Sequence, residues 1–208
     1  LYLQTLRGNF FVIFKDSQVQ FFLFLIVTSI LIVTFWKYQD ASNFFDNFRS
    51  SFFNTISIFT GTGYTTQNFN NWGSFIIVLF LFLMLVGGCA GSTTCGIKIF
   101  RLQILYQSAK IQLFKLMNPH GVSIAKYNKK PVSNEIISSV MGYFFMFIIS
   151  YIIITLILSF LGNDFLTSLS GAATSLANVG PGLGNVIGPT KTFADLSEIT
   201  KWVLIAGM

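Results

Sequence analysis

Two stretches of the chain are uncharged and apolar over the length needed to cross a membrane. The first covers residues 17–36, between Asp16 and Lys37, and the second covers residues 136–163. About 20 residues of α-helix span the roughly 30 Å hydrocarbon core of a bilayer. The pattern predicts one membrane-spanning helix in each stretch.

The longest uncharged stretch, residues 50–97, predicts an element that enters the membrane and turns back. Its 48 residues would reach about 72 Å as one helix, which is far more than one crossing. The pattern instead divides into an amphipathic helix over 43–59, a polar turn with the sequence FTGTGYTTQN, and an apolar helix over 72–86. Irregular backbone at membrane depth is tolerated where it is buried in protein or lines a water-filled path.

The same order of elements returns later in the chain. A short helix is predicted over 164–177, the loop NVGPGLG follows at 178–184, and an apolar helix begins near Leu196. This order predicts an internal repeat of helix, short helix, polar loop and helix. The predicted units cover residues 17–107 and 133–208, with Gly63 and Gly180 at matching places.

A further irregularity lies at residues 87–96, GGCAGSTTCG. The apolar run before it, 74–86, would reach only about 20 Å as a helix, so the polar segment begins inside the membrane. This predicts a broken helix whose small residues could lie in a pore and move aside. Close glycine packing between helices, or a simple helix end, is the alternative.

Composition places the chain among membrane proteins. It is 53% hydrophobic and 10% charged, whereas soluble domains carry about 25% charged residues. The 208 residues begin without Met and end in an apolar segment, so we expect a piece of a longer protein.

The basic residues predict the topology. Nine of the thirteen lysines and arginines lie in the approach segment 1–16 or between Lys98 and Lys130, around a predicted connector at 108–132. Cytoplasmic loops carry an excess of Lys and Arg. The connector is therefore expected in the cytoplasm and the polar loops on the outer side, and nucleic-acid binding is not needed to explain the positive charge.

The motifs do not favour an enzyme. Position 97 is Ile where a phosphate-binding loop needs Lys, and the glycine loops do not fit a dinucleotide-binding pattern. The C-x5-C spacing of Cys89 and Cys95 is not a usual zinc spacing. Catalysis by Ser92 at membrane depth would need a base, and the single histidine, His120, lies in the connector. We therefore expect no catalytic residue, no cofactor and no metal other than a transported ion.

A polar loop between two short helix ends can bind a cation through its backbone. Carbonyl oxygens aimed at one axis replace the hydration shell of the ion, and glycine permits the positive φ that such a loop needs. The C-terminal end of the short helix adds a partial negative charge. Ordinary outer connections, and a purely structural scaffold, are the alternatives.

Two motifs resemble those of a known family. GGCAGSTTCGIKIFR at 87–101 and NVGPGLG at 178–184 closely resemble the Trk/Ktr/HKT superfamily of cation transporters, in particular its bacterial TrkH-type subunits. TGTGYTT at 60–66 looks like the third filter loop of that family. Thr94 and Cys95 depart from the usual glycines and would stiffen the loop.

The resemblance implies an all-α polytopic membrane protein of four helix–pore helix–filter loop–helix units, of which this chain supplies the third and fourth. It implies potassium uptake through a channel-like pore, with a sodium-conducting or sodium-coupled transporter as the alternative; symport and passive flow both remain open. A homodimer in the bacterial inner membrane, on a cytoplasmic ring of nucleotide-binding TrkA/KtrA-like subunits, is implied too. The implied filter residues are Gly61, Thr62, Gly63, Tyr64, Asn178, Val179, Gly180 and Pro181, and the implied gating loop is Gly87, Gly88, Cys89, Ala90, Gly91, Ser92, Thr93, Thr94, Cys95 and Gly96.

Overall fold

The protein is predominantly helical. The computed structural model describes residues 16–38, 44–118, 121, 125–128 and 130–208. Within these ranges the α-helices are α1 (Ser17–Lys37), α2 (Phe44–Phe59), α3 (Ser74–Leu85), α4 (Ile99–Met117), α5 (Asn134–Phe160), α6 (Phe165–Ala177) and α7 (Glu198–Gly207). Short 3-10 turns cover Phe69–Trp72 and Phe193–Asp195, and the strands β1 (Lys126–Tyr127) and β2 (Lys130–Pro131) form an antiparallel hairpin.

Helices α1 and α5 form over the two stretches that were predicted to span a membrane. Both are long and apolar enough to cross a membrane, with 21 and 27 residues. Only 11% of the most apolar window of α5 is buried within the chain, so α5 is not the core helix of a soluble domain. Large apolar side chains such as Phe24, Phe145 and Phe160 are exposed along both helices. A lipid environment accounts for these surfaces.

The short helix α2 is amphipathic in the opposite sense to a helix of a soluble protein. Its polar side chains at 47, 50, 51, 54 and 55 are buried, whereas its phenylalanines at 44, 45, 48, 52 and 53 are exposed. Helix α6 likewise buries Ser168, Ser170 and Thr174 while Phe165 is exposed. Buried hydroxyl and amide groups facing other helices are typical of packing in an apolar solvent.

The described elements follow the order of the predicted repeat, with a long helix, a short helix, a loop and a further helix. Helices α1, α2 and α3 follow one another in this way, and α5, α6 and α7 do so again. The start of α6 is set by the Asp164 carboxylate, which accepts a hydrogen bond from the Thr167 N–H at 3.3 Å. Residue 43, the predicted first residue of α2, lies outside the described residues.

Some helix boundaries differ from the predictions for local reasons. Helix α3 starts at Ser74 rather than Trp72, because Gly73 has φ +101°, which a helix cannot contain. Helix α7 starts at Glu198 because the Ser197 hydroxyl caps it. The predicted break between α3 and α4 is confirmed, and α4 resumes at Ile99. It continues to Met117, so the first ten residues assigned to the connector are helical. Residues 1–15 and His120 lie outside the described part.

Candidate functional site

The first glycine loop, Gly61–Tyr64, turns its N–H groups back onto the end of α2. The N–H of Gly61 donates to the Ile58 carbonyl oxygen at 3.1 Å, and those of Thr62 and Gly63 donate to the Ser57 carbonyl oxygen at 2.9 and 3.3 Å. These bonds satisfy the carbonyl groups that a helix end leaves without partners. In a trans peptide the C=O points opposite to the N–H. The carbonyl groups that share these peptides are therefore directed away from α2.

The second glycine loop, Asn178–Pro181, is held to α6 in the same way. Asn178 adopts the left-handed conformation at φ +49°, which ends the helix. The Val179 N–H donates to the Thr174 carbonyl oxygen at 3.2 Å, and the Gly180 N–H donates to the Thr174 hydroxyl oxygen at 3.0 Å. The same hydroxyl lies 3.1 Å from the Gly180 carbonyl oxygen and can donate to it. A carbonyl oxygen has two lone pairs, so one remains available.

The two glycine loops meet at Gly63 and Gly180. A Cβ atom at Gly180 would lie 3.2 Å from the Cα of Gly63, and one at Gly63 would overlap the Val179 carbonyl oxygen and lie 3.3 Å from Pro181 Cδ. Both glycines have positive φ, +79° and +112°. The site therefore excludes side chains at these two positions on grounds of both space and backbone conformation.

The site carries no ionisable group apart from an exposed phenol. Among the eight residues of the two loops only Tyr64 could titrate, and its side chain is 73% exposed. The C-terminal ends of α2 and α6, each with partial negative charge, both lead into the loops. Neutral carbonyl dipoles with this polarity favour a cation of low charge density over an anion.

The helix-break loop, Gly87–Gly96, is closed at its base by backbone pairing. The Gly87 N–H donates to the Ile97 carbonyl oxygen at 2.9 Å, and the Ile97 N–H donates to the Leu85 carbonyl oxygen at 2.9 Å. A side chain at Gly87 would overlap the Cys95 carbonyl oxygen, so the two limbs are in contact. The loop is therefore closed at its base, where it leaves α3 and where it joins α4.

The helix-break loop contacts the second glycine loop and lies close to the first. The amide Nδ2 of Asn178 lies 3.4 Å from Cys95 Sγ. The methyl group of Thr94 lies 3.8 Å from where a Cβ of Gly61 would stand. The three segments that the sequence singled out therefore form one cluster.

The chain matches a known family over almost its whole length. The family model described as "TrkH: Cation transport protein" matches residues 8–208. The chain belongs to the TrkH family. The resemblance inferred from the motifs is confirmed, as is the polytopic helical fold class.

Curated relatives and a solved structure agree with the TrkH assignment. The chain is 41% identical over its full length to a "Trk system potassium uptake protein TrkI" of Halomonas elongata, and 34% identical over 93% of its length to a TrkH of Vibrio parahaemolyticus. A crystal structure of "the Potassium Transporter TrkH from Vibrio parahaemolyticus" superposes with a TM-score of 0.86 at 32% identity, over 94% of this chain. The chain spans 42% and 40% of these two relatives and 42% of that crystallised chain.

The TrkH-family site includes polar residues that sequence reasoning did not single out. Asn54 is fully buried; its Nδ2 donates to the Thr66 hydroxyl at 2.8 Å and its Oδ1 accepts from the Thr66 N–H at 3.1 Å. Thr174 holds the second loop as described above. In the sequence, Asn54 and Thr174 stand out only as small polar residues in uncharged helices. Many membrane helices contain such residues, so the pattern did not mark these two as part of a site.

Asn70 joins the segments that follow the two glycine loops. Its Nδ2 donates to the Gly184 carbonyl oxygen at 2.8 Å, and its Oδ1 accepts from the Gly184 N–H at 3.2 Å. The Thr65 hydroxyl adds a bond to the Pro189 carbonyl oxygen at 2.9 Å. The side chain of Asn70 therefore sets the distance between segments that follow the two loops.

We expect Asn70→Ala to loosen the pairing of the two glycine loops. Gly184 is buried, so its N–H and carbonyl would lose their partner at a cost of about 1–3 kcal/mol. The variant should show a lower Tm and weaker potassium-over-sodium discrimination in the full-length protein. The neighbouring Asn71→Ala is the matched control because Asn71 is exposed. Equal Tm and equal discrimination in both variants would contradict this role.

Proposed function

We propose that this chain forms half of a pore for potassium uptake. The observation that carries the proposal is the contact of Gly63 with Gly180, each at positive φ at the end of a short helix. The relatives are named potassium uptake proteins, which supports the same function. Because the chain spans less than half of them, the activity belongs to a longer protein.

In the proposed mechanism the filter is made of backbone carbonyls. Gly61, Thr62, Gly63 and Tyr64 line one quarter of the ring, and Asn178, Val179, Gly180 and Pro181 line a second quarter. Two further helix–pore helix–filter loop–helix units, the first and second of four, would close the ring. A dehydrated potassium ion exchanges its water shell for these oxygens, so no covalent chemistry and no organic cofactor is involved.

The helix-break loop is proposed as the gate. Cys95 contacts Asn178 and Thr94 lies near Gly61, which supports a position of the helix-break loop at the exit of the proposed filter. Its closed base lets it move while α3 and α4 stay in place. The proposed units are 17–107 and 133–208, with 1–16 and 108–132 on the cytoplasmic side.

The proposed setting is the bacterial inner membrane. We propose a homodimer that rests on a cytoplasmic ring of nucleotide-binding regulatory subunits, with the basic connector facing that ring. The Lys and Arg residues in 1–16 and 98–130 support this orientation, because cytoplasmic segments carry an excess of these residues.

The function is tested by ion flux into proteoliposomes that contain the full-length protein. Potassium or rubidium influx well above that of sodium supports the proposal. Flux of sodium alone, or flux of potassium only when sodium is present, identifies the sodium-conducting or sodium-coupled alternative. Absence of any monovalent cation flux contradicts the proposed function.

A further inference from the structure

The ammonium group of Lys98 is bound by oxygens of the helix-break loop. Lys98 Nζ donates to the Ser92 carbonyl oxygen at 2.7 Å, to the Ser92 hydroxyl at 3.2 Å and to the Thr94 carbonyl oxygen. An ammonium has three N–H donors, and three oxygens of one loop receive them. The side chain therefore folds back onto the loop although it starts from the helix that follows.

The position of Lys98 is not explained by the helix to which it belongs. Lys98 is the N-cap residue of α4, and a positive charge at a helix N-terminus is unfavourable because that end carries partial positive charge. The loop oxygens offset this cost. Lys98 also adds to the excess of positive charge expected on the cytoplasmic side, but a fully solvated lysine would contribute to that excess equally well.

The contacts of Lys98 extend to the proposed filter. Thr94, whose carbonyl accepts from Lys98, is the residue whose methyl group lies nearest to Gly61 in the helix-break loop. The Thr94 hydroxyl also lies 2.7 Å from the Ser92 hydroxyl and accepts from the Gly88 N–H at 2.9 Å. Lys98 thus ties Ser92 and Thr94 to the start of α4, in a conformation of the loop in which Thr94 lies near the first glycine loop.

We propose that Lys98 is the latch of the helix-break loop, a positioning residue that holds the loop against the glycine loops. This inference rests on the proposed function, because it names what keeps the proposed gate closed. The ammonium has a second effect. The ammonium is hydrogen-bonded to Thr94, which lies near Gly61, and its positive charge repels a cation that leaves the proposed filter on that side. Release of the loop therefore removes two barriers to the cation, the loop itself and the repulsion by the ammonium.

The latch predicts opposite outcomes for two substitutions in the full-length protein. Lys98→Met removes the hydrogen bonds and the charge, so basal rubidium flux into proteoliposomes should rise about three- to tenfold, given that the group is partly exposed. Lys98→Arg keeps the charge and its donors, so its flux should remain closer to that of the wild type. Lys110→Met is the matched control, because Lys110 is exposed on α4 away from the loop. The potassium-over-sodium ratio should be unchanged in all three.

A second readout uses the native thiol in the loop. Cys95 is exposed, and its rate of modification by a small thiol reagent is obtained by subtracting the signal of Cys95→Ser. Release of the loop should make Cys95 react faster in Lys98→Met than in the wild type, by a factor similar to the flux increase. Lys98→Gln provides the same comparison if the Met variant does not fold.

The outcomes separate the latch from the proposed function. Raised flux with faster Cys95 labelling supports the latch. Unchanged flux with unchanged labelling in a wild type that carries potassium overturns the latch and leaves the pore intact. If the wild type carries no monovalent cation, the proposed function fails; labelling alone then decides whether Lys98 holds the loop.

Discussion

Replacement of Gly63 by alanine is expected to abolish selective potassium uptake by the full-length protein. The new Cβ would overlap the Val179 carbonyl oxygen, and the backbone at φ +79° would be strained by about 1–2 kcal/mol in addition. The loops must separate or rotate, and either movement changes the direction of the carbonyl groups. We expect uptake to fall by about tenfold or more, since each 1.4 kcal/mol of barrier changes a rate tenfold. Gly180→Ala should have a similar effect from the other side of the contact.

Gly162→Ala is the control that separates strain from position. Gly162 also has positive φ, +87°, but a Cβ there would meet no atom within 4 Å. It should cost a similar strain energy and leave potassium-over-sodium discrimination unchanged. The measurement is paired rubidium and sodium influx at matched protein levels. Normal discrimination in both Gly63→Ala and Gly180→Ala would remove the filter assignment.

Removal of residues 89–92 from the helix-break loop is expected to produce a cation leak. The base of the loop is closed by bonds between Gly87, Ile97 and Leu85, all outside the deletion, so α3 and α4 should keep their positions. The Ser92 oxygens that bind Lys98 are lost, so the remaining Thr94 and Cys95 are no longer held in their positions beside the glycine loops. Basal potassium flux should rise by about tenfold or more, the change expected when the closed state loses about 1.4 kcal/mol.

The selectivity of that leak is its internal control. The glycine loops are untouched by the deletion, so the leak should still favour potassium over sodium. A flux equal to that of the wild type, in protein of normal abundance, would count against the helix-break loop as a gate. A leak without selectivity would show that the deletion disturbs the glycine loops as well.

The pattern of charge and hydropathy predicted the long helices, the short helices and the helix break of this fold. Spans α1 and α5 follow from uncharged stretches of sufficient length, and the break before Ile99 follows from an apolar run that is too short to cross. These features depend on the surrounding solvent and on helix geometry, and both are determined by residues that are close together in the sequence. The same local signals identified the segments that the structure brings together into one cluster.

Contacts between distant segments could not be predicted in this way. The pairing of Asn70 with Gly184 joins residues of different units, and nothing in the local pattern distinguishes Asn70 from Asn71. Lys98 was interpreted as part of the topology signal, because its charge fits the cytoplasmic bias. Its contact with the loop oxygens depends on how the loop folds back over α4, and this is decided by packing rather than by composition.

In the proposed filter, carbonyl oxygens around Gly63 and Gly180 bind a dehydrated monovalent cation. A crystal structure of the full-length protein grown with thallium, whose anomalous scattering reports on potassium sites, tests this most directly. We expect an anomalous peak between the two glycine loops, in contact with carbonyl oxygens of both Gly63 and Gly180, that disappears in Gly63→Ala. Thallium bound only elsewhere, in protein that still transports potassium, would contradict it.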